Sequence, residues 1–299
     1  MEIGLPRFAG RDEVLALRSR GVDRARLAGL WVAGSLEGLR GPTVAIVGPR
    51  APSGGARARA HELGRAMARA GVCVVSGLAL GIDGAAHAGA VAGTGRTIGV
   101  LGGGHRQFFP ERNRPLAEAM LAAGGAVVSP FAPDEPALPF HFLQRNGVVA
   151  ALADAVVIVE AATRSGALNT ASWAGNLGVD VLAFPGDVDR PKAAGCNALI
   201  RDGATLVRDA ADVLAALDRR DVMPLGLRLM PDVPDERCTY DPLEARLLAE
   251  LAGGQLAFDD LIERAESAAP ELAAALVQLE LDGRIERRDG CFYALRRAK

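Results

Sequence analysis

The chain has 299 residues, 49% of them hydrophobic and 23% charged, a balance that supports a sizeable globular core and excludes disorder as the main theme. Its 34 basic and 36 acidic side chains leave a net charge of -2, which excludes a globally cationic nucleic-acid binder but not a local basic patch. No apolar run approaches the roughly 20 residues that span a bilayer. The opening MEIGLPRFAG carries early charges and a proline instead of a secretory core, so a cytoplasmic protein with no membrane partner is expected. Cys73, Cys196, Cys238 and Cys291 are scattered, with no CxxC pair, so neither a disulfide framework nor a zinc site is expected. Only Lys192 and Lys299 are lysines. Arginine grips phosphate bidentately, although an Arg-rich genome produces the same bias.

Residues 1–41 read as a short N-terminal helical segment, with Leu15, Leu17, Leu27 and Leu30 among Arg and Ala. Residues 42–217 alternate short apolar runs with Ala-rich amphipathic stretches. The runs at 44–47, 72–76, 97–101, 126–129, 155–159 and 181–184 predict strands. Helices are predicted to start near Ala56, Ala85, Arg114, Val148 and Asn169. Six strands alternating with helices imply an α/β fold with a doubly wound, mainly parallel sheet.

In such a sheet, ligands bind beyond the carboxyl ends of the strands. Four loops at those ends are rich in glycine: Gly48 to Gly55 with Arg50, Ser76-Gly77 to Asp83, Gly102-Gly103-Gly104-His105-Arg106, and Glu160 to Thr170 with Arg164, Ser165 and Gly166. Glycine lets backbone approach an anion, and helix N-termini offer free N–H groups. Together the loops suggest a phosphate-holding surface, while each alone is also a plain strand-to-helix turn. None matches GxxxxGK[ST] or GxGxxG, which disfavours a triphosphatase or a standard dinucleotide oxidoreductase.

Asp83 and His87 share a helix face. That spacing admits an acid–base pair, and equally a capping Asp above a core His. Cys196 has no histidine near it in sequence and reads as a buried thiol before a nucleophile. The stretch Pro139 to Asn146 interleaves Phe140 and Phe142 with His141 and Arg145. Base stacking with phosphate contact needs that pattern, and a loop plugged into the core by its rings would show it too. Phe108-Phe109-Pro110 is a second aromatic cluster in a chain with only 4% aromatics.

Residues 218–240, with three prolines and no clear period, read as a linker. Residues 241–299 predict three helices (241–251, 258–266, 270–281) and a hairpin turning at Asp289-Gly290, a winged-helix-like domain. A duplex-reading winged helix puts basic residues on its third helix. Here that helix is acidic, and Arg284, Arg287, Arg288, Arg296, Arg297 and Lys299 sit only on the wing and tail. This favours a protein-contact or dimer-stabilising role over major-groove readout.

Taken in order, VAIVGPR (44–50), VVSGLALGIDGAAHAGA (74–90), TIGVLGGG (97–104), FPERN (109–113), FLQRN (142–146), VVIVEAATRSGALNTA (156–171), FPGDVD (184–189) and GCNALIRDGA (195–204) resemble the bacterial DNA-processing protein A family, DprA or Smf. The resemblance covers about residues 42–217. It implies an extended Rossmann-like domain that binds single-stranded DNA without catalysis, cofactor or metal. It also implies a homodimer that protects incoming strands and loads RecA during natural transformation or repair, with single-strand-binding protein as a further partner. By motif position it implies that Arg50, beside Gly48, contacts a phosphate. Ser76, Gly77, Gly104, Ser165, Gly166 and Thr170 then line the same pocket, with Arg106 and Arg164 on its loops. Phe140 or Phe142, with Arg145 and Asn146, forms the stacking and gripping segment. Three positions depart from the family pattern: Pro49 replaces the serine of GSR, Gly147 replaces an arginine, and Pro139 replaces a basic residue with His141 as the nearby substitute. The competing reading is a Rossmann-like hydrolase of nucleoside monophosphates. Its Gly-Gly-x-Gly-Thr turn and following Glu are not matched, and Glu160 is the only acid close by.

Overall fold

A run such as Thr43–Val47, buried at every residue, needs cover on both faces, and the fold supplies it. The computed structural model describes residues 6–17, 25, 27–218, 242–251, 254, 256–265, 269–281, 285–288 and 292–295. The chain divides into two compact units, Met1–Met223 and Pro224–Lys299, taken separately below. Among the described residues the first unit holds one nine-stranded sheet. Its strands are β1 (Arg7–Gly10), β2 (Gly29–Gly34), β3 (Thr43–Val47), β4 (Cys73–Ser76), β5 (Thr97–Val100), β6 (Ala126–Ser129), β7 (Ala155–Ile158), β8 (Asp180–Ala183) and β9 (Thr205–Leu206). They lie in the order β1-β2-β6-β5-β4-β3-β7-β8-β9. From β6 to β9 every neighbouring pair is parallel.

The helices are α1 (Arg11–Leu17), α2 (Gly54–Arg69), α3 (Ile82–Ala92), α4 (Arg114–Ala122), α5 (Pro139–Ala151), α6 (Gly166–Leu177), α7 (Ala194–Arg201) and α8 (Ala210–Asp218). Side chains alternate across β3. Val44 and Ile46 join a core with Ala60, Leu63 and Met67 of α2, while Ala45 and Val47 join one with Val148 and Val149 of α5 and Ala171 and Ala174 of α6. The chain winds from β3 through β4 and β5 in one direction and then crosses to β7 on the other side. The order reverses between β3 and β7, and a crevice opens at that switch point, beyond the carboxyl ends of the strands.

The amino-terminal segment departs from the helical expectation. Only α1 is α-helical among its described residues, and β1 and β2 flank it. Strand β2 pairs antiparallel with β6, and β1 with β2, so this segment extends the sheet. The leucines that suggested a helix belong to different elements: Leu15 and Leu17 to α1, Leu30 to β2. The segment 139–146 also differs from a loop: it is the start of α5, with Pro139 at the first helical position, where its missing N–H costs nothing.

The second unit contains α9 (Pro242–Leu251), β10 (Leu256–Ala257), α10 (Phe258–Ala265), α11 (Ala269–Leu281), β11 (Ile285–Arg288) and β12 (Phe292–Leu295). The last two strands pair as the expected hairpin, and β10 adds a third, unpredicted strand beside β12. Leu247, Leu251, Leu261, Leu272, Leu276, Leu279 and Ile285 make its core, which completes the winged-helix reading. The expected linker begins at Asp218, the last residue of α8. Its remainder, 219–240, lies outside the described residues, as do Cys238, Cys291, Arg284 and the basic tail.

Helices α2 and α3 touch through backbone. A Cβ on Gly64 would stand 2.2 Å from the Ala86 carbonyl oxygen, and one on Gly89 would stand 1.9 Å from that of His61. This contact sets how closely α3 lies behind the loop it follows. Gly89→Val is therefore expected to lower stability by about 3 kcal/mol, at the upper end of overpacking costs. Gly175→Ala, where nothing lies within 4 Å of the new methyl, is expected to raise it by about 0.5–1 kcal/mol. Urea midpoints of both variants against wild type check the pair.

Candidate nucleic-acid interface

The crevice at the switch point is a cleft of about 690 Å³. Loops after β3 (Gly48, Pro49, Arg50), β4 (Gly77, Ala79) and β7 (Arg164, Ser165) line it, with Phe142, Arg145 and Asn146 of α5 and Gly166 and Thr170 of α6. Three of the four glycine-rich loops thus meet in one place, and α5 supplies the aromatic and basic wall.

Arg145 forms the floor. It is 4% exposed, and Nη1 donates to the Val100 carbonyl at 3.1 Å and lies 4.0 Å from Oδ2 of Asp83. Its Nε has no hydrogen-bond partner. Burial opposes its charge, Asp83 supports it, and neighbouring Arg50 opposes it again. A buried cation whose one counter-ion lies at 4.0 Å keeps uncompensated positive charge at the cleft floor, which suits an anion. Gly77 makes room for it, since a Cβ there would stand 1.4 Å from Nη1.

Asp83 holds the loop in front of Arg145. Its carboxylate accepts from the Gly77 N–H at 3.2 Å, and the Ala79 N–H also favours its charged form. Burial nevertheless pushes its pKa above the usual carboxylate range. Asn113 holds the same loop from the other side, its amide donating to the carbonyls of Leu78 (2.8 Å) and Ala79 (3.0 Å). Leu78 is a non-glycine residue with φ of 55°, a strained conformation that such bracing maintains.

Above the floor, Phe142 is half-buried, and both guanidinium groups approach its ring: Arg50 at 5.1 Å from the centroid and Arg145 at 5.9 Å. Arg50 is exposed and, among the described residues, has no acid paired with it. Ser165 caps α6, accepting from the Ala167 N–H at 3.3 Å, and Gly166 faces open space. Asn146 bridges the two helices, its amide donating to Asn169 Oδ1 at 3.1 Å and to the Gly166 carbonyl at 3.3 Å.

Four expected site residues stand outside the lining. Ser76 is buried with its hydroxyl on the Ile46 carbonyl at 2.6 Å, behind the loop it was expected to present. Gly104 is covered: a Cβ there would meet the carbonyl oxygens of Ala132 and Pro133 at 2.2 Å. The third glycine loop thus serves close backbone packing. Arg106 pairs with Asp134 at 2.7 Å, and Phe140 contacts His141 edge-on at 4.4 Å. His141, the expected basic substitute, is itself buried, stacked 3.9 Å from Phe131 and 3.3 Å from Glu135. Gly147 has a packing reason for its small size, because a Cβ would sit 2.9 Å from the Trp173 indole. Phe109 lines the cleft although no motif role was attached to it, and Asn113 braces it; both lie in the FPERN stretch.

Glu160, Cys196 and His87 all lie outside the cleft lining. Glu160 accepts from the Ser53 N–H at 2.8 Å and is not in the cleft lining. Burial pushes the Cys196 thiol up to about 11, so it stays protonated. Among the described residues no group of three His, Cys, Asp or Glu could hold a metal ion. His87 is fully buried with Nδ1 2.7 Å from Thr97 Oγ1, and burial, with Arg145 nearby, lowers its pKa from 6.5 to about 3. A neutral core histidine is the outcome, not half of an acid–base pair.

The unfolded chain takes up a proton on His87 below its model value of 6.5, while the folded chain resists until about 3. Stability from this group is therefore complete above pH 6.5 and is lost as pH falls toward 3. Between pH 7.5 and pH 5 the loss is about 2 kcal/mol. His87→Gln should remove that part of the acid sensitivity, read as the difference between the two proteins' urea stabilities at both pH values.

Residues 23–218 match the family described as DNA recombination-mediator protein A, and residues 231–290 match the DprA winged helix domain. Protein Smf of Escherichia coli is 38% identical over 276 residues, covering 90% of this chain and 72% of that one. The X-ray structure of DNA processing protein A from Streptococcus pneumoniae aligns with a TM-score of 0.59 at 39% identity, over 63% of this chain and 66% of that one. That of Helicobacter pylori, described for its single-stranded DNA binding mode, aligns at 0.58 with 27% identity, over 64% and 87%.

Proposed function

The chain belongs to the DNA recombination-mediator protein A family, and from that membership and the cleft we propose that it binds single-stranded DNA there as a non-enzymatic recombination mediator. The observation that carries the reading is the buried, incompletely paired Arg145 beneath exposed Arg50, with the ring of Phe142 between loops that offer glycine backbone. Cation and aromatic ring side by side suit a strand whose phosphates need charge and whose bases need a flat apolar face. The contacting set is Gly48, Arg50, Gly77, Phe142, Arg145, Asn146, Arg164, Ser165, Gly166 and Thr170.

Catalysis has no support in the cleft. Its one carboxylate, Asp83, is committed to the Gly77 N–H and to Arg145, which leaves no free base. In this reading the protein holds strands as a homodimer, shields them, and passes them to RecA during transformation or repair, with single-strand-binding protein as a further partner. The domain division follows the same logic: residues 42–217 carry the strand, and 241–299, with an acidic third helix, serve protein contact.

Arg50→Ala should weaken binding of an oligo(dT) strand by about tenfold, the loss of one charge-assisted phosphate contact. The slope of log K against log salt should become shallower by about 0.7, one phosphate's worth on a single strand. Fluorescence anisotropy across a salt series reads both. An Arg50→Ala curve that superimposes on wild type, with the fold intact, removes Arg50 from the site.

A further inference from the structure

Phe108 and Phe109 are neighbours with opposite fates. Phe108 is 6% exposed, with Arg114 over its ring at 5.1 Å, whereas Phe109 is 51% exposed and lines the cleft. Phe109 cannot retire into the core, because Phe108 fills that place and Asn113, four residues on, is tied to the Leu78 and Ala79 carbonyls. Its ring meets Phe142 edge-on, with centroids 6.0 Å apart and planes inclined at 68°. Arg50 and Arg145 attend Phe142, and among the described residues no cation stands over Phe109. A large apolar face is thus held in water at the mouth of the site.

We infer that Phe109 is a second nucleobase platform, so that the cleft takes two bases splayed apart, one on each ring. This inference rests on the single-strand reading above. Flat stacking on rings inclined at 68° places the two bases at a similar angle, so they cannot stack on each other. The strand must break its own stack at that step. Breaking a stack is easier in thymine runs than in adenine runs, and preferences of this kind arise from stacking strength and backbone flexibility instead of hydrogen-bond readout. The cleft therefore prefers oligo(dT) to oligo(dA) without reading any base edge.

The test is anisotropy binding of labelled oligo(dT) and oligo(dA) of equal length to wild type, Phe109→Leu, Phe109→Trp and Arg50→Ala. Leucine keeps the bulk and loses the flat face; tryptophan keeps the face. Phe109→Leu should weaken oligo(dT) binding by about tenfold, the range of one base–aromatic stack, and narrow the gap between the strands. Phe109→Trp should bind at least as well as wild type, and melting temperatures should match throughout. The inference is overturned if Phe109→Leu binds oligo(dT) like wild type while Arg50→Ala does not, or if wild type shows no preference between the strands. Wild type that binds neither strand at low salt overturns the single-strand reading itself.

Discussion

A guanidinium only 4% exposed is held at the bottom of a cleft. Arg145 has one carboxylate at 4.0 Å, one carbonyl at 3.1 Å and a spare donor. Burying charge this way is costly unless its partners are in place. Much of the surrounding geometry follows from that cost. Gly77 has no side chain because the guanidinium occupies its place, and Asp83 both balances the charge and fixes the loop in front of it. Asn113 ties that loop from behind. In the proposed reading a polyanionic strand supplies the missing partner, with exposed Arg50 also lining the cleft.

The scaffold makes this arrangement rigid. Parallel strands bring three loops to one rim, and the reversal between β3 and β7 opens the gap between them. Alanine and glycine on α2 and α3 let two helices meet backbone to backbone, which brings α3, and Asp83 with it, close behind the rim. The neutral His87 lies on the same helix, bonded to Thr97 of β5. Preorganised donors of this kind are worth more where they are buried than in water.

Much of this was legible beforehand. The apolar runs placed the central strands within a residue or two, because fully buried parallel strands are continuous in sequence. The glycine loops after β3, β4 and β7 were legible as a group meeting at one rim, and Arg50, Phe142 and Arg145 as residues of the same place, which is where the cleft brings them together. The misreadings share a cause. A glycine that opens onto a cleft and a glycine that admits another segment of chain look alike in sequence, so Gly104, packed against the Ala132 and Pro133 carbonyls, reads like Gly166, which has nothing within 4 Å. Two adjacent phenylalanines likewise do not reveal which one is buried, and α5 turned Phe140 and Phe142 to different surroundings. The amino-terminal strands were missed because Leu15, Leu17 and Leu30 suggest a helix until β6 provides an edge for β2 to join.

Hydrogen exchange with and without oligo(dT) tests most directly whether a single strand occupies this cleft. The account predicts slowed exchange in the amides of 48–56, 77–83 and 164–168, the backbone that rims Arg145, with little change at His105–Gln107, which lies outside the lining. Protection confined to residues 242–295, or spread without regard to the cleft, would contradict it.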